Sequence, residues 1–428
     1  MYAPTTMPET PRHDSRLAHE LAQFCQRHTQ VEQSSRASFP SSPLWAAAAA
    51  TGTSLWLDTG DVDAARKLWT REFTALTTNN TLLNKEVQKG LYDALVPDCR
   101  RLLTAQGVTD RQQMVQEIAF VLNAVHGQKL VRTFDADVSV ELHTAIADDA
   151  EASYQYGRRF HAINPQRFIV KVPLTPAGLL AARRLADDGV RLNFTLGFSA
   201  RQNWLIAAVA RPTWVNVFMG RVNAFLADNR LGDGKNAGEK ATLASQRLLR
   251  RLAKDGPRVR QIGASMRSGQ QVADLLGLDV FTIPTAAAAE FVQANPAPGT
   301  LRDRTGDDPT VVFAPGVDPQ RLRLDCFWQA DAAFGKATAA VAALDPRSHT
   351  GADVVRTLAQ HGAGDLFPQF DAAGLRRIAA EGKIPVLGSW QDRVQAGTAS
   401  WDGLLTAAAL ASFTADQAAL DARIAGLL

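Results

Sequence analysis

The sequence predicts an α/β fold, a (β/α)8 TIM barrel with N-terminal and C-terminal helical additions. Three observations carry this prediction. Apolar, β-branched runs alternate with helix-periodic stretches from residue 54 to about 296, the pattern of βαβ units on a parallel sheet. The runs number eight, and a helix-like stretch follows each one. No run opens into GxGxxG, so the alternative, a doubly wound dinucleotide-binding sheet, lacks its fingerprint.

Taken in order, residues 1–15 are polar and contain proline, which predicts a mobile terminus, and 15–33 carry Leu17, Leu21 and Phe24 at helical spacing. Residues 1–50 therefore form an N-terminal, partly helical extension. The barrel is expected over 51–296. Its strands are 54–57 (SLWL), 73–76, 138–142 (VSVEL), 168–172, 190–196 (VRLNFTL), 214–218 (WVNVF), 259–264 and 279–283. Helices are expected at 61–70, about 144–161, 175–188, from Gly238 and Glu239 to about 254, and at 269–276. A long helical insertion is expected at about 81–132, where Met114, Ile118, Leu122 and Val125 mark one apolar face. Gly232, Gly234 and Gly238 have the wrong spacing for a phosphate loop and read as ordinary loop. Alternation stops after Pro296, and 297–428 reads as a C-terminal helical region. Its last helix, 411–427, presents Phe413, Gln417, Leu420, Ile424 and Leu427 to the barrel.

Composition narrows the function classes. At 46% hydrophobic and 21% charged residues the chain has globular composition, and a net charge of +3 over 428 residues gives no footprint for nucleic acid. The Arg183-Arg184 and Arg250-Arg251 pairs fit solvated helix faces. Cys25, Cys99 and Cys326 are scattered and odd in number, which favours a reducing, cytoplasmic setting over a disulfide framework or a structural zinc site. The start of the chain has no apolar core of a signal peptide, and the longest apolar stretch, 44–50, is too short to span a bilayer. There is no HExxH and no clustered His/Cys set, so no metal and no cofactor are expected.

Chemistry points first to Lys171, inside the apolar run RFIVKVP. A buried lysine loses solvation, which lowers its pKa and frees its amine to attack a carbonyl. The competing reading is an edge strand whose lysine points to solvent. In a βα barrel the active site lies at the C-terminal ends of the strands. The strands deliver Asp58, Asn79, Glu141, Lys171, Asn193, Thr195, Arg221, Ser265 and Arg267 to that end. Singly, each has a plain explanation. Asp58 fits a helix cap, Asn79 a turn, Glu141 a surface ion pair. Together they would make a Schiff-base site with acid/base partners and an anion clamp.

These residues lie in stretches that resemble the transaldolase family: LWLDTGD (55–61), ALTTNN (75–80), VSVEL, FIVKVP, GVRLNFTLGFS (189–199), NVFMGR (216–221), IGASMR (262–267) and FTADQAALDARI (413–424). The resemblance implies a Schiff base on Lys171 and a proton-moving carboxylate at Asp58. It implies a catalytic water held by Glu141 and Thr195. Asn79 and Asn193 would bind a dihydroxyacetone unit, Asn216 and Phe218 would line the substrate, and Arg221 and Arg267, with Ser265 beside them, would clamp phosphate. The implied reaction moves dihydroxyacetone from fructose 6-phosphate or sedoheptulose 7-phosphate to erythrose 4-phosphate or glyceraldehyde 3-phosphate. The expected partners are thus sugar phosphates, without nucleic acid or membrane, and a homodimer is the candidate assembly. Three positions depart from the family pattern: Asn216 stands where Ser is usual, Asn80 where Pro is usual, and Gly197 in a normally apolar place. The related fructose 6-phosphate aldolases, which release free dihydroxyacetone, have Tyr where this chain has Phe218 and lack a carboxylate at Glu141. A non-catalytic sugar-phosphate binder is the third reading. Residues 1–50, 81–132 and 299–400 exceed a compact family member and read as packing or oligomer-contact elaborations.

Overall fold

A computed structural model describes residues 15–29 and 31–428, so the expectation of a mobile terminus at 1–14 lies outside the described residues. The eight strands are β1 (Ser54–Asp58), β2 (Phe73–Thr77), β3 (Asp137–Glu141), β4 (Phe168–Pro173), β5 (Leu192–Thr195), β6 (Trp214–Phe218), β7 (Arg260–Ala264) and β8 (Val280–Pro284). They close in sequence order, every pair parallel, into the (β/α)8 barrel that the alternation predicts. Leu55, Leu57, Val138, Val140, Val170, Val172, Phe194, Val215 and Val217 are buried on the face that alternates with the inward polar residues, where the surrounding helices cover the sheet. The Trp56 and Trp214 rings meet edge to face inside the barrel at 5.0 Å, and they floor the space above them.

Register sets the site. Glu141 on β3 pairs with Lys171 on β4, and Lys171 with Asn193 on β5. Asp58 on β1 pairs with Thr77 on β2. Because side chains alternate across a strand, one register choice turns all of these toward the barrel axis together.

Several boundaries differ from the sequence expectation. The helix expected at 61–70 spans only Val62–Arg66, and its cap is Asp61, whose carboxylate accepts from the Asp63 and Ala64 amides, both at 2.9 Å. Asp58 therefore does not cap it. The stretch 144–161 splits into a short 3-10 turn, Thr144–Ile146, and a helix, Ala150–Ile163, capped by Asp149. Gly238 does open a helix, Ala237–Leu252, as expected from its place before Glu239, and does not belong to a loop with Gly232 and Gly234. A Cβ there would sit 2.2 Å from the Met219 carbonyl, so glycine is what lets the two helix starts touch. The last helix runs Trp401–Leu427, ten residues longer at its start than expected. Arg250 is no free solvated side chain: it donates to Thr305 at 2.9 Å and to the Gly277 carbonyl at 3.0 Å.

The insertion after β2 folds as the helices Asn80–Gln88, Leu95–Ala105 and Arg111–Phe134. The C-terminal helix Trp401–Leu427 crosses the loops that follow four strands. Thr406 donates to the Leu196 carbonyl after β5 at 2.9 Å, and Phe413 packs on Phe218 of β6. Asp416 accepts from Thr81 after β2, and Asp421 pairs with His143 after β3 at 3.2 Å. Among the described residues no helix is long and apolar enough to cross a membrane.

Candidate active site

Lys171 projects from β4 into the barrel and is 4% exposed, which removes the solvent-facing edge-strand reading. Its Nζ donates to the Thr78 carbonyl at 3.1 Å and stands 3.6 Å from Glu141 Oε2. Glu141 Oε2 also accepts from the Asn80 amide at 3.3 Å. Asp58 Oδ1 accepts from Thr77 Oγ1 at 2.6 Å, and Thr77 shares a 2.5 Å contact with Thr282 of β8. Burial pushes both carboxyls, Asp58 and Glu141, above the ordinary carboxylate range, and the Lys171 charge pulls each partly back. A buried acid, Glu141, and a half-buried one, Asp58, thus act on one buried amine.

A second polar row lies beside them. Asn193 donates to Ser139 Oγ at 3.1 Å, and Asn216 donates to Asn193 Oδ1 at 3.4 Å. Thr195 Oγ1 and Asn216 Oδ1 are buried and have no hydrogen-bond partner. Buried polar atoms are rarely left unpaired, so these are the atoms a bound ligand or water would satisfy. The residues that follow β5 and β7 also carry strain. Leu196 and Ser265 sit at φ 67° and 63°, the left-handed region that non-glycine residues seldom occupy.

Asn79 does more than turn the chain. Its Oδ1 caps the helix Asn80–Gln88 by accepting from the Leu82 amide at 2.8 Å, which leaves its Nδ2 to donate to a ligand. Asn80, where the family pattern has proline, supplies the backbone N–H that Glu141 uses and bonds the Leu142 carbonyl through its side chain at 3.5 Å. Proline has no such N–H.

The basic residues gather one step away. Arg221 is 6% exposed in the first turn of the helix Met219–Asp228, with Nη1 unpartnered. Its guanidinium lies 5.8 Å from the Phe218 ring and 5.7 Å from that of Phe413. Burial, reinforced by the like charge of Arg267 and opposed by Asp416, pushes Arg221 down to about 10, so it stays cationic at neutral pH. Arg267 is exposed and Ser265 half-buried. Gly220 brings the segments together: a Cβ there would stand 2.2 Å from the Ser265 carbonyl and 2.6 Å from Arg267 Nε. Phe218 packs between Phe198 and Phe413, with ring centroids 5.7 and 6.4 Å away, and puts an apolar ring beside Arg221.

The site residues named from sequence therefore form two adjoining groups. Asp58, Glu141, Lys171, Asn193, Thr195 and Asn216 line the barrel interior, while Arg221, Ser265 and Arg267 collect at the starts of the helices after β6 and β7. Sequence reasoning missed Thr77, Ser139 and Thr282, the hydroxyls that hold Asp58 and Asn193. Their one signal is parity, since Ser139 is two residues before Glu141 and so shares its face. Among the described residues no group of three or more His, Cys, Asp or Glu side chains is arranged to hold a metal ion.

A family model described as transaldolase/fructose-6-phosphate aldolase matches residues 55–312. The probable transaldolase of Thermus thermophilus is 34% identical over 248 residues, 56% of this chain and 90% of that protein. The transaldolase of Gloeobacter violaceus is 28% identical over 234 residues, 53% of this chain and 59% of that protein. That of Xanthomonas campestris is 28% identical over 232 residues, 53% of this chain and 71% of that protein.

Proposed function

Because this chain belongs to the transaldolase/fructose-6-phosphate aldolase family, we propose that it transfers a dihydroxyacetone unit between a ketose phosphate and an aldose phosphate through a Schiff base on Lys171. The observation that carries this reading is the buried Lys171 amine, 3.6 Å from one carboxyl and under the electrostatic influence of a second. Lys171 attacks the ketose carbonyl, and loss of water leaves a protonated imine. The imine draws in the electron pair of the adjacent carbon–carbon bond as Asp58 takes the proton of the hydroxyl on the departing carbon. Aldose phosphate leaves, and an enamine stays on Lys171 until an acceptor arrives. Glu141 and the unpartnered Thr195 hydroxyl hold the water that carries protons during imine formation and breakdown. A carboxyl raised from its usual range is suited to both taking and giving a proton near neutral pH. Asn79, Asn193 and Asn216 bind the dihydroxyacetone hydroxyls. Arg221 and Arg267, with Ser265, hold the phosphate, which guanidinium groups match in charge and geometry. Fructose 6-phosphate, sedoheptulose 7-phosphate, erythrose 4-phosphate and glyceraldehyde 3-phosphate are the proposed substrates. The setting is a cytoplasmic pentose phosphate route, which the three free cysteines favour.

Borohydride with fructose 6-phosphate, read by peptide mass spectrometry, tests the proposal. A dihydroxyacetone-derived mass should appear on Lys171 and vanish in Lys171→Arg, whose side chain stays charged. Labelling of another lysine in the wild type would remove the assignment, and absence of labelling would leave a sugar-phosphate binder.

A further inference from the structure

Three backbone segments meet beside the arginines. Gly220 admits the Ser265 carbonyl, and Gly238 admits the Met219 carbonyl, each at a distance that a Cβ would forbid. Glu239 lies at this junction, 7% exposed, with amide partners and no ion pair among the described residues. A carboxylate can only accept hydrogen bonds. It therefore compels two side-chain amides to turn their NH2 groups toward it: Asn223, at 2.9 and 3.2 Å, and Gln271, at 2.5 Å. Their carbonyl oxygens must then face outward. Asn223 Oδ1 accepts from the Gly238 amide at 2.8 Å, and Gln271 Oε1 accepts from the Arg267 amide at 2.5 Å. Asn223 stands two residues beyond Arg221 on the same helix. One carboxylate thus ties the loop of Arg267 to the helix of Arg221.

We propose that Glu239 and Gln271 are positioning residues for anion recognition, fixing the spacing of Arg221 and Arg267 before a phosphate dianion arrives. The inference rests on the phosphate-clamp reading and goes beyond it, because that reading gives neither residue a part. Two like-charged guanidinium groups repel, and the loop at Ser265 is held in a left-handed conformation, so the pair needs an outside frame. With the frame in place, the entropy of ordering the loop is spent in folding rather than in binding.

The test uses the full chain, with inorganic phosphate as the probe, and compares fructose 6-phosphate with fructose as donors. Glu239→Gln can present its amide either way round, and Gln271→Met removes the bond to the Arg267 amide. Each should weaken phosphate binding by about tenfold, the size of one lost hydrogen bond to a charged site. Each should also lower kcat/KM for fructose 6-phosphate several-fold more than for fructose, mainly through KM. Arg267→Ala is run in parallel. If it weakens phosphate binding while Glu239→Gln and Gln271→Met do not, the clamp stands and the positioning inference falls. If Arg267→Ala has no effect on phosphate either, the clamp reading falls and takes this inference with it. Should the variants not fold, hydrogen exchange of the wild type decides. Slow exchange of the Arg267 amide without phosphate supports the frame, and exchange at the rate of an open loop overturns it.

Discussion

Asp58 is subject to two opposing pressures, desolvation that favours its protonated form and the Lys171 charge that favours its ionised form, and desolvation wins. A folded-state pKa raised above the unfolded value means that the folded protein binds the extra proton. Stability from this group is present below the ordinary carboxylate range and is lost as pH rises through the folded value. Asp58→Asn should therefore melt higher than the wild type at neutral pH, with the gain shrinking toward zero near pH 3. In the same variant kcat should fall by about 10²–10⁴-fold, the usual contribution of a general acid or base. Melting curves across pH check this, and a difference that does not change with pH would refute it. Phe218 poses the other question at this scale. Its ring offers no proton, whereas a tyrosine hydroxyl there could donate one to the waiting enamine. Phe218→Tyr should raise the release of free dihydroxyacetone from fructose 6-phosphate when erythrose 4-phosphate is absent, and slow transfer when it is present. A wild type that releases as fast as it transfers would favour the aldolase reading.

At the scale of elements, the decisive part is the helix Trp401–Leu427. Its first turn is held by an ion pair. Arg201 meets both oxygens of the fully buried Asp402 at 2.8 Å, and Ser199 donates to the same carboxylate at 2.7 Å. Desolvation alone would raise Asp402, but Arg201 and these hydrogen bonds outweigh it and hold the carboxyl below its ordinary range. The sign is the reverse of Asp58: this contribution is present above the unfolded carboxylate value and is lost as pH falls through the folded one. Asp402→Ala leaves Arg201 with Asp365 alone, at 3.1 Å, and should cost about 1.5–3 kcal/mol, read from the denaturant midpoint. Because the same helix carries Phe413 against Phe218 and Arg221, KM for the phosphorylated donor should rise as well. Loss of stability without any change in KM would show that the helix anchors the fold and leaves the site untouched.

Over the whole molecule, the packing of the N-terminal extension lies apart from the chemistry. The helix Ser15–His28 buries Leu17, Leu21, Phe24 and Cys25 on the outside of the barrel, against the helices Arg111–Phe134 and Ala150–Ile163. Between those two helices Arg159 forms a fully buried pair with Glu117 and lies over the rings of Phe120 and Tyr156, at 4.3 and 4.6 Å. Phe120 and Tyr156 also line a small cavity with Glu141 and Asn80, whereas Leu17, Leu21, Phe24 and Cys25 do not. Leu21→Ala should cost about 2–5 kcal/mol, as cavities in packed cores do. KM and the borohydride trapping of Lys171 should not move. A shift in KM with Leu21→Ala would mean that the extension reaches the site through the barrel wall.

The sequence alone determined the strand count, the helix–strand alternation and the set of polar residues at strand ends, because these depend on local periodicity and on where each apolar run stops. It also marked Lys171 as unusual, since a charge inside an apolar strand is costly wherever that strand ends up. Pairing lay beyond it. Glu141 and Lys171 are thirty residues apart and become neighbours only through strand register, which closure of the barrel sets. Thr77 and Thr282 meet from distant parts of the chain for the same reason. The start of the last helix, ten residues before the expected one, depends on a close approach: a Cβ on Gly403 would stand 2.5 Å from the Leu366 carbonyl. Glu239, an unremarkable helix residue in sequence, acquired a part only when three backbone segments converged on it. Local periodicity is written in neighbouring residues, whereas register, closure and close approach belong to the whole chain, so only the tertiary structure could decide them.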